Sequence, residues 1–176
     1  MVAIQLFRRA HKNVPPLIPN QPPEDALRPT LLELAEFYRK HVLIFPKASR
    51  RLVCDFSNNN FSLQHVEALA QWLQKSTTPI SIFALDLSFN RIQCSSWENF
   101  VPVVKTLSNH VEHLDFGGNY LPPILESDRS LTLLHSKVSL SVPYNSECGD
   151  PWVDTWTERS KQFRESAYGY FTPQKW

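Results

Sequence analysis

One six-residue pattern returns along the chain and limits what it can fold into. It reads Cys54-Asp55-Phe56-Ser57-Asn58-Asn59, then Leu85-Asp86-Leu87-Ser88-Phe89-Asn90, then Leu114-Asp115-Phe116-Gly117-Gly118-Asn119, and more faintly Leu140-Ser141-Val142-Pro143-Tyr144-Asn145. Each copy is apolar-x-apolar-x-x-Asn. The first three run on to an apolar residue at Phe61, Ile92 and Leu121, where the fourth has Glu147. Alternation in Leu85-Asp86-Leu87 sends both leucines to one face and the aspartate to the other, as in a short strand. The spacing from one asparagine to the next leaves room for a helix in each unit, so the strands are expected to stack as parallel neighbours. The asparagine then stands where the backbone leaves the sheet. Its amide can bond turn groups that would otherwise lack partners, so Asn59, Asn90, Asn119 and Asn145 are expected to form a structural ladder.

These copies resemble the long, helix-containing leucine-rich repeats of the ribonuclease-inhibitor type, over about residues 50–147. The resemblance implies an α/β fold: a short solenoid of about four repeats, with a parallel sheet inside, helices outside and a role in protein–protein interaction. Four regions are expected. Residues 1–23 form a basic, proline-rich N-terminal arm, 24–49 an N-terminal capping helix, 50–147 the repeats, and 148–176 a C-terminal helix with an aromatic tail.

The helices are marked by their caps. Pro29 precedes Thr30-Leu31-Leu32-Glu33, which has the form of a capping box, and Leu31, Leu34, Ala35, Tyr38 and Val42 follow on one face. This helix is expected to cover the open edge of the stack. The apolar run Val42 to Phe45, ended by Pro46, has the size of a buried strand. Ser62 opens a helix with Val66, Leu69, Ala70 and Leu73 on its apolar face. Ser95 or Ser96 opens another with Phe100, Val103, Val104 and Leu107, whose start Pro102 is expected to push later. A third is expected from Ile124 to His135. Asp150-Pro151 opens a last one with Trp152, Trp156, Arg159 and Phe163 at helical spacing.

Composition narrows the function classes. With 42% hydrophobic residues the chain can bury a continuous core. A net charge of +1 supplies no overall basic field of the kind nucleic-acid binders carry. No apolar run reaches the ~18 residues of a membrane span. The cysteines, Cys54, Cys94 and Cys148, are odd in number and have no CxxC spacing, which argues against a disulfide framework or a zinc site and favours a reducing compartment. No GxSxG, Walker or GxGxxG pattern occurs, so no enzymatic activity and no cofactor or metal is expected.

Two sets of residues are candidates for contacting a partner. Asp55, Asp86 and Asp115 occupy equivalent outward positions, about 4.8 Å apart if the strands stack, and read either as an acidic stripe on the concave face or as carboxylates solvated or paired within the chain. The arms supply the second set. Arg8, Arg9 and Lys12 lie in an acid-free start that resembles a mitochondrial transit segment or a basic arm lying along a partner. Trp152, Trp156, Tyr170, Phe171 and Trp176 make the C-terminal stretch aromatic-rich, well suited to anchoring. The reading is a non-catalytic structural or accessory subunit of a large mitochondrial assembly: a respiratory complex, ATP synthase or the mitochondrial ribosome. Its partners are other protein subunits, RNA contact follows only for a ribosome, and no homo-oligomer is expected. The alternative is a cytoplasmic adaptor or inhibitor that binds one protein through its concave face.

Overall fold

The computed structural model describes residues 3–8, 22–44, 50–121 and 139–141 of the chain. They form an α/β fold. Strands β1 (Ala3–Arg8), β2 (Arg50–Asp55), β3 (Ile82–Asp86), β4 (Val111–Asp115) and β5 (Ser139–Ser141) make one parallel sheet in chain order. Helix α1 (Pro23–Tyr38) lies between β1 and β2, α2 (Leu63–Lys75) between β2 and β3, and α3 (Trp97–Leu107) between β3 and β4. Parallel neighbours need a crossover, and the right-handed sense of such crossovers puts successive helices on one side of the sheet.

The repeated pattern sets the register. Phe7, Cys54, Leu85, Leu114 and Leu140 face one another across the five strands, and one residue later so do Arg8, Asp55, Asp86, Asp115 and Ser141. The ladder continues into the turns, where the Phe56 N–H donates to the Asp86 carbonyl at 2.9 Å and the Leu87 N–H to the Asp115 carbonyl at 2.8 Å. The core forms between sheet and helices. Leu52 of β2, Cys54 and Phe56 of the first copy, Leu85 and Leu87 of the second, and Leu114 and Phe116 of the third pack with Leu34 of α1, Leu69 of α2 and Phe100 and Val104 of α3. Burial also pushes the Cys54 thiol far above its usual range, so it acts as a small apolar residue.

Several expectations are corrected. Part of the stretch 1–23, read as an arm, is strand β1, which takes the register of a repeat without carrying its sequence. The physical reason is aromatic packing: Phe7 meets Phe37 edge-on at 5.4 Å and Phe56 at 5.8 Å, so the outer flank of β2 is filled by a strand. Helix α1 therefore does not cap a bare edge. It also begins at Pro23 rather than Thr30, because proline at the first position and Glu24 and Asp25 in the first turn suit a helix start. Thr30 is buried inside the helix and Pro29 is an internal, exposed proline. The run Val42 to Phe45 supplies no strand over its described part: Arg39–Leu43 is a π-helical extension of α1, with Leu43 and Ile44 exposed. Ser62 and Ser96 stand at the N-caps of α2 and α3, and Pro102 lies within α3 without moving its start. The helices expected at 124–135 and after Asp150, Asn145 of the ladder and the aromatic tail lie outside the described residues.

The residue before each of Asn59, Asn90 and Asn119 has a left-handed backbone: φ is 53° at Asn58, 52° at Phe89 and 68° at Gly118. Asparagine and glycine tolerate this, whereas Phe89 carries about 1 kcal/mol of steric cost. Its ring lies over the next turn, so that a Cβ on Gly118 would come within 2.5 Å of Phe89 Cδ1. Gly118→Ala is expected to destabilise by about 2 to 3 kcal/mol through clash and backbone strain. In a Phe89→Ala background urea denaturation should show that cost falling to about 1 kcal/mol, the backbone part alone.

Candidate interaction surface

The strand ends carry the candidate residues, and their geometry begins with the asparagines. Asn90 is buried between two turns. Its Oδ1 accepts from the Asn59 N–H at 2.8 Å and the Phe61 N–H at 3.0 Å, and its Nδ2 donates to the carbonyls of Leu87 at 2.9 Å, Phe56 at 3.0 Å and Ser88 at 3.2 Å. Asn119 repeats this one unit later: Oδ1 accepts from the Ile92 N–H at 3.1 Å and Nδ2 donates to the Phe116 and Leu87 carbonyls at 2.8 and 2.9 Å. Asn59, also buried, donates to the Ser57 carbonyl at 2.7 Å. Each side chain thus ties its own turn, and the later two also tie the turn before.

The three aspartates stand side by side at the ends of β2, β3 and β4. They are buried, with 8%, 6% and 3% exposure for Asp55, Asp86 and Asp115. Of the two ordinary fates for these carboxylates, solvated or paired within the chain, it is the second. Asp55 accepts from the Ser57 N–H at 3.1 Å and hydroxyl at 2.7 Å, Asp86 from the Ser88 N–H at 2.9 Å, and Asp115 from the Gly117 N–H at 2.8 Å. Each aspartate pins the turn that its asparagine closes. Burial, then the neighbouring Asp115 charge, push the Asp86 carboxyl up to about 6, against the opposing pull of its Ser88 hydrogen bonds. By register Arg8 sits beside Asp55, at the first end of the row. Arg9 and Lys12 lie outside the described residues, as do Trp152, Trp156, Tyr170, Phe171 and Trp176.

A small polar and aromatic group adjoins the row. The Arg51 guanidinium lies 4.4 Å from the centre of the Phe83 ring, which meets the His113 imidazole edge-on at 4.7 Å. Burial pulls His113 below its ordinary value, opposed by Glu112 and assisted by Arg51. Two further residues are not legible from the apolar places of the pattern. Phe89 and Tyr120, on successive turns, are 56% and 60% exposed. Both occupy x places of the repeated pattern, where no apolar side chain is required for packing, and that mismatch was their available signal. Backbone bonds from the Phe89 N–H to the Gly117 carbonyl at 2.8 Å and from the Tyr120 N–H to the Ile92 carbonyl at 2.9 Å hold them in place. Exposed aromatics on a rigid turn can anchor a partner at small entropic cost.

Among the described residues no helix is long and apolar enough to cross a membrane, and no group of three or more His, Cys, Asp or Glu is arranged to hold a metal. No protein-family model matches the chain, and no curated protein is significantly similar to it.

Two outcomes follow. Asn90→Ala should lose about 2 to 3 kcal/mol by orphaning the Asn59 and Phe61 amides, and Asn119→Ala less, since one outside amide rather than two depends on it; chemical denaturation of both ranks them. The raised Asp86 value means the folded chain holds a proton that the unfolded chain has released between about pH 4 and 6. Stability from this group is therefore lost as pH rises through that window. Relative to the parent, Asp86→Asn should gain about 1 to 3 kcal/mol more at pH 7 than at pH 4, read from urea midpoints.

Proposed function

We propose that this chain is a short leucine-rich-repeat-like solenoid of about four repeats that acts as a non-catalytic binding module, an accessory or structural subunit of a large protein assembly. The observation carrying the reading is the pair of exposed aromatics, Phe89 and Tyr120, fixed on consecutive turns of a rigid ladder. Repeated units of this kind are ordered chiefly by their neighbours and offer an extended surface without a reaction centre. The acid-free basic stretch around Arg8, Arg9 and Lys12 and the aromatic-rich 148–176 add contact chemistry and incline the reading to a mitochondrial assembly: a respiratory complex, ATP synthase or the mitochondrial ribosome.

A second reading has one observation in its favour. The in-register row Asp55, Asp86 and Asp115 would suit a cytoplasmic adaptor or inhibitor gripping a basic partner by its concave face.

Native gels of fractionated cell extract, with mass spectrometry of the band, separate the two. The subunit reading expects a megadalton mitochondrial band, lost when Phe89 and Tyr120 are both changed to serine while the isolated chain keeps its fold. Migration at its own 20.4 kDa overturns it. A cytosolic complex with one partner that survives the serine changes and is lost on Asp55→Asn with Asp115→Asn supports the second reading instead.

A further inference from the structure

The helix ends and the strand starts meet along one rim of the fold, away from the strand exits that carry Phe89 and Tyr120. Hydrogen bonds run along this rim. The Tyr38 hydroxyl donates to the Pro79 carbonyl at 3.3 Å, the His110 imidazole lies 3.4 Å from the Ile80 carbonyl, and the Ile82 N–H donates to the His110 carbonyl at 2.7 Å. Each described helix finishes here in a cation: Lys75 in the last turn of α2, Lys105 in that of α3, and Arg39 and Lys40 in the π-helical extension of α1. All four are exposed. The helix dipole accounts for cations at these places. It does not account for Leu43 and Ile44, adjacent large apolar side chains at the tip of the extension that are 49% and 68% exposed. Short π-helical turns are rare and concentrate at functional sites.

We propose that this rim docks on the surface of an anionic phospholipid bilayer, with Leu43 and Ile44 entering the boundary between headgroups and acyl chains. An aliphatic pair gains by leaving water for hydrocarbon, whereas the phosphates of a nucleic acid would answer the cations and leave the pair in water. The dimensions agree. Ile44 stands about 7 Å beyond Arg39 along the helix axis, comparable with the depth of about 5 to 10 Å to which interfacial side chains are buried. With the pair at that depth the Arg39 and Lys40 head groups remain among the lipid phosphates. Charge agrees as well. Glu36 pairs with Lys40 at 2.6 Å and Glu24 with Lys75 at 3.5 Å, while Arg39, Arg51 and Lys105 are set against Glu112 at the start of β4, so the rim is positive. The base of the tip is fixed. Tyr38 is buried and bonded to Pro79, His41 packs on Phe37 at 4.6 Å, and Phe37 packs on Phe7 at 5.4 Å. Little ordering is therefore lost when the tip enters the bilayer.

The consequence concerns orientation. The strands are parallel, so their starts face the lipid and their exits face away, which leaves Phe89 and Tyr120 open to a protein on the aqueous side. The inference rests on exposure and charge at the helix ends, and it stands or falls apart from the aromatic surface.

The experiment mixes the full chain with vesicles of phosphatidylcholine alone or of phosphatidylcholine with phosphatidylserine and reads bound protein by sedimentation. The chain should bind the mixed vesicles, bind the neutral ones more weakly, and release from the mixed ones as salt is added. Leu43→Ser with Ile44→Ser should weaken binding at least about tenfold. Arg39→Gln with Lys105→Gln should weaken it about twentyfold, at roughly fivefold per cation. Phe89→Ser with Tyr120→Ser should leave it unchanged. All these positions are exposed, and circular dichroism checks that each variant keeps its fold. Absence of binding by the parent chain overturns the proposal and leaves the tip to a protein partner. Binding that survives the Leu43 and Ile44 changes overturns it by assigning the lipid contact to another part of the chain, and equal binding to the two kinds of vesicle overturns it by removing the role of the cations.

Discussion

The buried amide of Asn90 is the contact on which the rest of the architecture depends. Parallel strands in chain order force the backbone to leave the sheet at the same end in each unit, and each exit leaves N–H and C=O groups without ladder partners inside the protein. One side chain with both a donor and an acceptor, placed between two exits, satisfies groups of both turns at once. Leucine would fill the space and serve none of them. The left-handed residue before each asparagine and the aspartate at each strand end follow from the same need: one reverses the chain, the other holds the first amide of the turn. Stacking is thus carried by polar groups at the strand ends as much as by the leucines behind them.

The aspartates have a structural use that does not require their negative charge. An uncharged acceptor would bind the turn amide too, and burial beside like charges raises the cost of ionisation at the middle position. Their row is coherent because the register is, not because a ligand demands it. A carboxylate whose bonds are spent on its own turn is a weaker recognition element than its position on the strand suggests. The aromatics at x places of the pattern are the reverse case. They take no part in packing the core, so their exposure calls for another account, and Phe89 holds its place in spite of an unfavourable backbone.

β1 shows how a sheet edge can be finished without repeating the motif. Strand geometry needs only alternation and one large apolar side chain in the right rank. Phe7 provides that by filling the space between Phe37 and Phe56, and the hydrogen bonds along β2 do the rest.

The sequence by itself determined the parallel strands β2 to β4, their register, the helix start at Ser62, a second start narrowed to Ser95 or Ser96, and the inward leucines. Each of these is governed by local periodicity or by a cap that a few neighbouring residues specify. The ladder asparagines were legible for the same reason, since one residue type in one place of a repeat has a single physical use. Tertiary structure alone decided that Ala3–Arg8 is a strand and that the aspartates are buried. Those outcomes depend on which distant surfaces meet. The pairing of Phe7 with Phe56 joins positions far apart in the chain, and the fate of a carboxylate at a strand end is set by what lies over it, which no spacing along the chain encodes.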